Sequence, residues 1–274
     1  MKLTNIFIII YLSGVLVSFL IDFILEKIDF SFRKKHGLEI PKVLEDHVEK
    51  SVLEKTCRYE DAKYKIWLPS ALFALALDIY LVFSEFYPAV FATVSYFIDS
   101  GFAISFLFLV IVMIPDRLLS VPFSLYREFG IEKQFGFSRM TFGMWFADGL
   151  KGLLLSLVVS APLVFAANLL FKHCPEFWWI LLGALYIAFS LGISVVYPLF
   201  IAPIFNKFTP LEDGELKDRL ESLLKKCGFK ASGLFVMDAS RRSGHSNAYF
   251  TGFGKSKRVV LYDTLIEQLT PEEI

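Results

Sequence analysis

Residues Gly152–Phe171 read GLLLSLVVSAPLVFAANLLF, and this stretch decides the fold. It contains no charged side chain, and about 20 apolar residues in a helix are enough to cross a bilayer. The chain is 55% hydrophobic and carries four more predominantly apolar runs. They are Ile6–Leu25, Ile66–Tyr87, Gly101–Ile114 with flanking residues, and Phe177–Phe205. The sequence therefore predicts an α-helical multi-pass membrane protein with five spans.

The limits of the first and third runs need separate arguments. Only Lys2 precedes the first run and no small-residue cleavage pattern follows it, so we expect a retained anchor rather than a signal peptide. Asp99 and Pro115 bracket the third run, which could begin at Ala89 or continue past Pro122.

Basic side chains are distributed unevenly among the segments that connect the runs. Ten Lys and Arg lie in 26–65 and five in 116–151, whereas 88–100 holds none and 172–176 holds only Lys172. Because cytoplasmic loops are enriched in Lys and Arg, we predict that 26–65 and 116–151 are cytoplasmic loops. Five spans then place the N-terminus outside and residues 206–274 in the cytoplasm. The net charge is zero, and no nucleic-acid partner is predicted.

Parts of both basic loops have a recognisable pattern. A set of mainly apolar residues at roughly helical spacing in 41–65 favours an amphipathic surface helix. They include Val43, Leu44, His47, Val48, Val52, Leu53 and Thr56.

Aromatic, basic and glycine residues alternate in Tyr126–Gly130 and Lys133–Arg139. This alternation is typical of a loop at the lipid headgroups, or of a segment that shapes a substrate entrance.

Residues 206–274 are predicted to form an α+β segment. We expect a helix at Glu215–Cys227, with Leu216, Leu220, Leu223 and Leu224 on one face and Gly228 as its stop. Strands are expected at Gly233–Asp238, Ser246–Thr251 and Lys257–Asp263, with a turn rather than a phosphate-binding loop at Gly252–Ser256. Thr270, Pro271 and Glu273 suit the N-cap, the first position and the capping box of another helix. Since the sequence stops at Ile274, we expect a fragment of a longer protein.

The polar strand His245–Phe253 is the candidate site. Its alternation puts His245, Asn247, Tyr249 and Thr251 on one face and the intervening side chains on the other. An exposed edge strand can bind an extended peptide through main-chain hydrogen bonds, and Ala248 would permit close approach. The alternative is an ordinary strand with a polar face in solvent, and spacing alone does not separate the two.

Metal-ligating residue types are too dispersed to predict a metal site within the sequence. The four histidines form no closely spaced pair, the three cysteines contain no C-x-x-C, and no H-E-x-x-H motif occurs. A catalytic zinc needs three protein ligands and an open position.

Three ordered segments resemble the integral-membrane CAAX prenyl proteases, a family of zinc metallopeptidases. They are Phe135–Thr141, Pro203–Leu211, and Ser240–Phe253 continued by Lys257–Leu265. The resemblance implies seven helices around a membrane chamber, with a cytoplasmic site where an H-E-x-x-H helix and a further glutamate bind Zn2+. It also implies that Asn247, Ala248 and Tyr249, and less directly His245, bind the substrate peptide.

The same resemblance assigns residues 1–205 to a transmembrane region and 206–274 to the N-terminal part of a zinc-metallopeptidase domain. The Zn2+ ligands are then expected downstream of Ile274. We predict that the full-length protein is a zinc metalloendopeptidase that cleaves C-terminal peptides of prenylated proteins, and that residues 1–274 alone are inactive. Its partners would be the lipid bilayer and a lipid-modified or membrane-associated substrate.

Two other functions stay open at this point. One is quality control of membrane proteins by the same chemistry, and the other is a non-catalytic membrane scaffold. The absence of long insertions favours a bacterial inner membrane, with the endoplasmic reticulum membrane as the alternative.

Overall fold

The structure, a computed structural model, describes residues 5–42, 45, 48–253 and 257–274. The chain forms two compact units, Met1–Phe135 and Gly136–Ile274, and each is described by itself.

The first unit is helical. Its elements are α1 (Ile6–His36), α2 (Lys50–Phe83), α3 (Phe86–Phe97), α4 (Gly101–Val112), α5 (Ile114–Leu125) and a π-helical segment, Tyr126–Glu132. Polar contacts join these helices in the segments that lie outside their apolar runs. Asp61 of α2 accepts hydrogen bonds from Arg33 and Lys34 of α1, and the Tyr59 hydroxyl donates to Glu132 Oε1 at 2.6 Å.

The second unit combines helices with a small sheet. Its helices are α6 (Phe142–His173), α7 (Trp178–Val196), which continues through π-helical Tyr197–Ile201 into α8 (Ala202–Phe205), α9 (Glu215–Lys226) and α10 (Asp263–Gln268). Its strands are β1 (Phe208–Pro210), β2 (Leu234–Met237), β3 (Ala248–Thr251) and β4 (Arg258–Tyr262). The sheet order is β1-β2-β4-β3, with β2 and β4 parallel and the other pairs antiparallel.

Five helices among the described residues are long and apolar enough to cross a membrane. They are Ile6–His36, Lys50–Phe83, Gly101–Glu132, Phe142–His173 and Trp178–Phe205. No more than 11% of the apolar stretch of any of them is buried within the chain. The predicted multi-pass fold with a C-terminal α+β segment is confirmed, and the third span does continue past Pro122.

The predicted loops are much more helical than expected. α1 continues to His36 and α2 begins at Lys50, so most of 26–65 is helix that extends the spans. Val52, Leu53 and Thr56 therefore belong to α2 rather than to a separate surface helix, while Val43, Leu44 and His47 lie outside the described residues. Tyr126–Glu132 likewise extends α5 and is not a loop. A helix continues past its apolar run because charged side chains have good helix propensity in water.

The sheet has an apolar cluster on each face. On one face, Leu216, Leu220 and Leu224 of α9 pack against Leu211, Leu234, Val259 and Leu261. Each such leucine stabilises the fold by about 1.5–3 kcal/mol when fully buried. On the other face, Met237, Ala239 and Val260 form the centre, and Tyr249 and Tyr262 pack around them.

The C-terminal segment confirms most of the predicted elements, with three differences. Gly228 ends α9 at a φ of 66°, as predicted, but Leu223 is 52% exposed and lies off the packed face. β1 and α10 were not predicted. At Thr270 the capping contact is present, since the Thr270 amide donates to Glu273 Oε2 at 2.8 Å. Residues 254–256 of the predicted turn lie outside the described residues, and Gly252 enters it at a φ of 90°.

Candidate functional site

The polar strand of the sequence analysis is β3, and it lies at one edge of the sheet. Among the described residues it pairs with β4 alone, in the antiparallel register Ala248 with Leu261 and Phe250 with Val259. The Tyr262 amide donates to the Asn247 carbonyl at 2.9 Å, which makes 247 and 262 a hydrogen-bonded pair. Hydrogen-bonded pairs alternate along an antiparallel ladder. The backbone groups of Ala248 and Phe250 therefore point away from β4, towards the open edge.

Asn247 modifies this edge through its own side chain. Its Oδ1 accepts from the Ala248 amide at 2.8 Å, which satisfies one outward donor locally. The Ala248 carbonyl and both backbone groups of Phe250 then form the part of the edge that can receive another strand. Asn247, Ala248 and Phe250 are all exposed in the described part of the second unit.

Tyr249 has a different environment from its neighbours in β3. Its ring packs on the sheet face around Met237 and Val260, and its hydroxyl lies 3.9 Å from Met237 Sδ. Burial raises the pKa of Tyr249 to about 12, with smaller contributions from the nearby Tyr262 and Tyr197 hydroxyls. The side chain thus anchors the strand, and the backbone of Tyr249 pairs with Val260 rather than facing the edge.

His245 lies at the start of the strand and is held from two directions. Its ring stacks on Phe137 at a centroid distance of 4.2 Å, and its carbonyl accepts from the Thr264 hydroxyl at 2.8 Å. Ser246 follows and donates to Gln268 Oε1 of α10 at 2.5 Å. These contacts fix the direction in which the chain enters β3.

An ion-pair network joins the sheet to the spans of its own unit. Arg242 Nε donates to Asp148 Oδ2 at 2.8 Å and Nη2 donates to Oδ1 at 3.2 Å. The third guanidinium nitrogen, Nη1, donates to Asn206 Oδ1 at 3.1 Å. Both charged side chains are less than one-fifth exposed, and bidentate pairs of this kind are the stronger class of ion pair. Arg242 therefore connects α6, the end of α8 and the segment before β3.

Two segments that the sequence analysis quoted separately pair with each other. Ser138 and Ser243 form an antiparallel bridge. The Arg139 amide donates to the Arg242 carbonyl at 2.9 Å, and the Gly244 amide donates to the Phe137 carbonyl at 2.7 Å. Residues 137–139 thus support the approach to β3.

The sequence predicted the strand itself but missed the network that holds it. Asp148 lies just before the apolar run Gly152–Phe171, and its partner Arg242 lies 94 residues further along the chain. The one available signal was an acidic residue just before an apolar run, since a carboxylate there needs a cationic partner. That signal does not identify Arg242.

The described residues do not fit a metal ion. In the ranges 5–42, 45, 48–253 and 257–274, no group of three His, Cys, Asp or Glu side chains is arranged to hold one. No catalytic step can be assigned to a metal bound by these residues.

Two family models match the chain in succession. The model described as CAAX prenyl protease N-terminal, five membrane helices, matches residues 29–207, and the model of peptidase family M48 matches residues 210–274. The boundary between them falls within β1, since the first match ends at residue 207 and the second begins at residue 210.

Named relatives agree with these matches. The chain is 34% identical over 255 residues to CAAX prenyl protease 1 of Saccharomyces cerevisiae, which covers 89% of this chain and 56% of that protein. It is 44% identical over 166 residues to the CAAX prenyl protease 1 homolog of Oryza sativa subsp. japonica, over 61% of this chain and 39% of that protein. The crystal structure of S. mikatae Ste24p aligns with a TM-score of 0.86 at 31% identity, over 98% of this chain and 64% of that one. The chain therefore spans about half the length of the curated relatives it matches.

Proposed function

The chain belongs to the M48 metallopeptidase family and carries its five-helix CAAX prenyl protease N-terminal region, and from this we propose that the full-length protein is a membrane zinc endopeptidase that cleaves C-terminal peptides of prenylated proteins. The names of the relatives from S. cerevisiae and O. sativa support this substrate class.

The observation that carries the proposal is the open edge of β3. A protease must hold the backbone of its substrate in an extended form without reading every side chain. Strand addition does this, because main-chain hydrogen bonds are independent of sequence. The exposed backbone of Ala248 and Phe250 offers the acceptors and the donor for such a pairing. In this proposal Asn247 and Ala248 flank the bound peptide, while Tyr249 and His245 position the strand.

Zinc enters the proposal through the family alone. The described residues provide no set of ligands for it, so we propose that the ligands lie outside these 274 residues. When bound, zinc would supply a nucleophilic water. The residues present here would bind and orient the peptide backbone.

A prenylated substrate suits the position of the sheet within the second unit. Arg242 bonds Asp148 of α6 and Asn206 at the end of α8, so the sheet is fixed at the ends of two spans. A lipid tail could then stay in the apolar region while the peptide reaches β3. The relatives named above are eukaryotic, which favours the endoplasmic reticulum membrane over the bacterial inner membrane for this protein.

The test uses the full-length protein and a farnesylated C-terminal peptide. We expect cleavage that stops when a zinc chelator is added and returns when zinc is restored. A matched peptide without the farnesyl group should be cleaved more slowly. Equal cleavage of both peptides would favour membrane-protein quality control. Cleavage that continues at the same rate in the presence of the chelator would contradict the zinc mechanism.

A further inference from the structure

A basic cavity of about 460 Å3 lies within the second unit. Its lining includes Lys151 of α6, Ile204 of α8, Lys207 and Phe208 after α8, and the pair Arg241 and Arg242. Apolar and cationic surfaces thus face the same space. It lies on different elements from the β3 edge.

The cations around the cavity outnumber the carboxylates bonded to them. Asp148 bonds Arg242 and lies 3.7 Å from Lys151 Nζ, while Asp238 lies 3.3 Å from Arg241 Nη1. Four cationic side chains therefore share two carboxylates in the described part of the chain. The excess positive charge favours an anionic ligand.

The residues that line the cavity lie beside the ends of two apolar runs, which is the level where a span would meet the aqueous phase. Lys151 directly precedes the apolar run that starts at Gly152, and Ile204 lies in the last turn of the helix that ends at Phe205. Lipid phosphates occupy this level of a bilayer. Ile204, which is 45% exposed, and Phe208 supply apolar surface beside the charges.

We propose that this cavity binds the phosphate headgroup of an anionic phospholipid, with Lys151, Lys207 and Arg241 as the charged contacts. Basic pockets between membrane helices on the cytoplasmic side are suited to such headgroups. A lipid is favoured over a soluble phosphate because the apolar residues beside the cations would contact the glycerol and the upper part of the acyl chains. The site does not depend on the protease activity.

The experiment titrates full-length protein in detergent with phosphatidylglycerol or phosphatidylcholine and counts bound lipids by native mass spectrometry. The double variant Lys207→Gln/Arg241→Gln should bind phosphatidylglycerol roughly thirtyfold more weakly than the unsubstituted protein. Each basic residue near the membrane surface contributes about fivefold to the affinity for an anionic lipid, and the variant removes two of them. The control Lys225→Gln/Lys226→Gln removes two exposed charges from the end of α9 and should bind like the unsubstituted protein. Melting temperatures in lipid-free detergent confirm that both variants are folded.

Three results would overturn the proposal. Equal affinity for phosphatidylglycerol and phosphatidylcholine would show that the excess charge is not used. Equal losses in the two double variants would indicate general charge attraction without a site. Displacement of the lipid by millimolar inorganic phosphate would show a phosphate site that does not need a lipid.

Discussion

At the residue scale, Arg242 is the side chain whose loss should be most costly. It is 18% exposed and bonds both Asp148 and Asn206. Replacing it by Gln leaves Asp148 without its bidentate partner in a largely buried position. We expect Arg242→Gln to lower the free energy of unfolding by about 2–3 kcal/mol. Chemical unfolding in detergent measures this change.

The matched control is Arg219→Gln, which breaks an ion pair with Glu215 on the exposed surface of α9. Because exposed pairs contribute little, its cost should be below about 0.5 kcal/mol. Combining Arg242→Gln with Asp148→Asn should recover part of the loss, since Asp148 then no longer carries a charge whose bidentate partner is missing. Equal costs for the two arginine variants would mean that the network does not tie the sheet to α6.

Tyr249 should make the stability of the protein depend on pH in the alkaline range. The pKa of Tyr249 is raised from its ordinary value of 10 to about 12, so the unfolded chain loses this proton first as the pH rises. The stabilisation is complete below pH 10 and is lost between pH 10 and 12. Over this window the free energy of unfolding should fall more steeply in the unsubstituted protein than in Tyr249→Phe. If the two proteins lose stability equally over this window, the Tyr249 hydroxyl is exposed to water in the folded state.

At the element scale, the edge of β3 can be blocked without breaking its ladder. The amide of Phe250 points away from β4, so Phe250→Pro removes a backbone donor from the open edge and none from the ladder, together with the ring that packs on Phe229. We expect this variant to raise the KM for peptide cleavage by the full-length protein about tenfold, which corresponds to about 1.4 kcal/mol. Its melting temperature should change little.

The control for this prediction is Phe250→Ala, which keeps the amide and removes only the ring that packs 4.8 Å from Phe229. A second control, Thr251→Pro, removes an amide on the ladder side and should lower stability. If Phe250→Ala impairs cleavage as much as Phe250→Pro, the ring binds the substrate and the backbone does not.

The elements that the sequence predicted are those with a strong local pattern. The five spans and α9 follow from apolar runs and leucine spacing, and Gly228 marks the end of α9. Three-residue β1 and six-residue α10 have too few residues to show a period, and tertiary contacts decide them. The edge position of β3 needed the crossover from β2 to β4, which no local pattern contains.

At the scale of the whole molecule, the remaining prediction concerns the topology, that is, the side of the membrane on which each end of a span lies. The described helices α6 and α7 are consecutive spans joined at 174–177, and the sheet follows the other end of α7. The connection 174–177 and the sheet should therefore lie on opposite sides of the membrane. From the basic segments we predict that the sheet lies in the cytoplasm.

Single-cysteine variants of the full-length protein test this arrangement in sealed vesicles of known orientation. One variant keeps the exposed Cys227, and the other carries Glu176→Cys as its single cysteine, at an exposed position between α6 and α7. A membrane-impermeant maleimide should label Cys227 only from the cytoplasmic face and the Glu176→Cys variant only from the opposite face. Labelling both from the same side would contradict the span count, and the reversed pattern would invert the topology. Because a prenylated protein is modified in the cytoplasm, an inverted topology would also separate β3 from the proposed substrate.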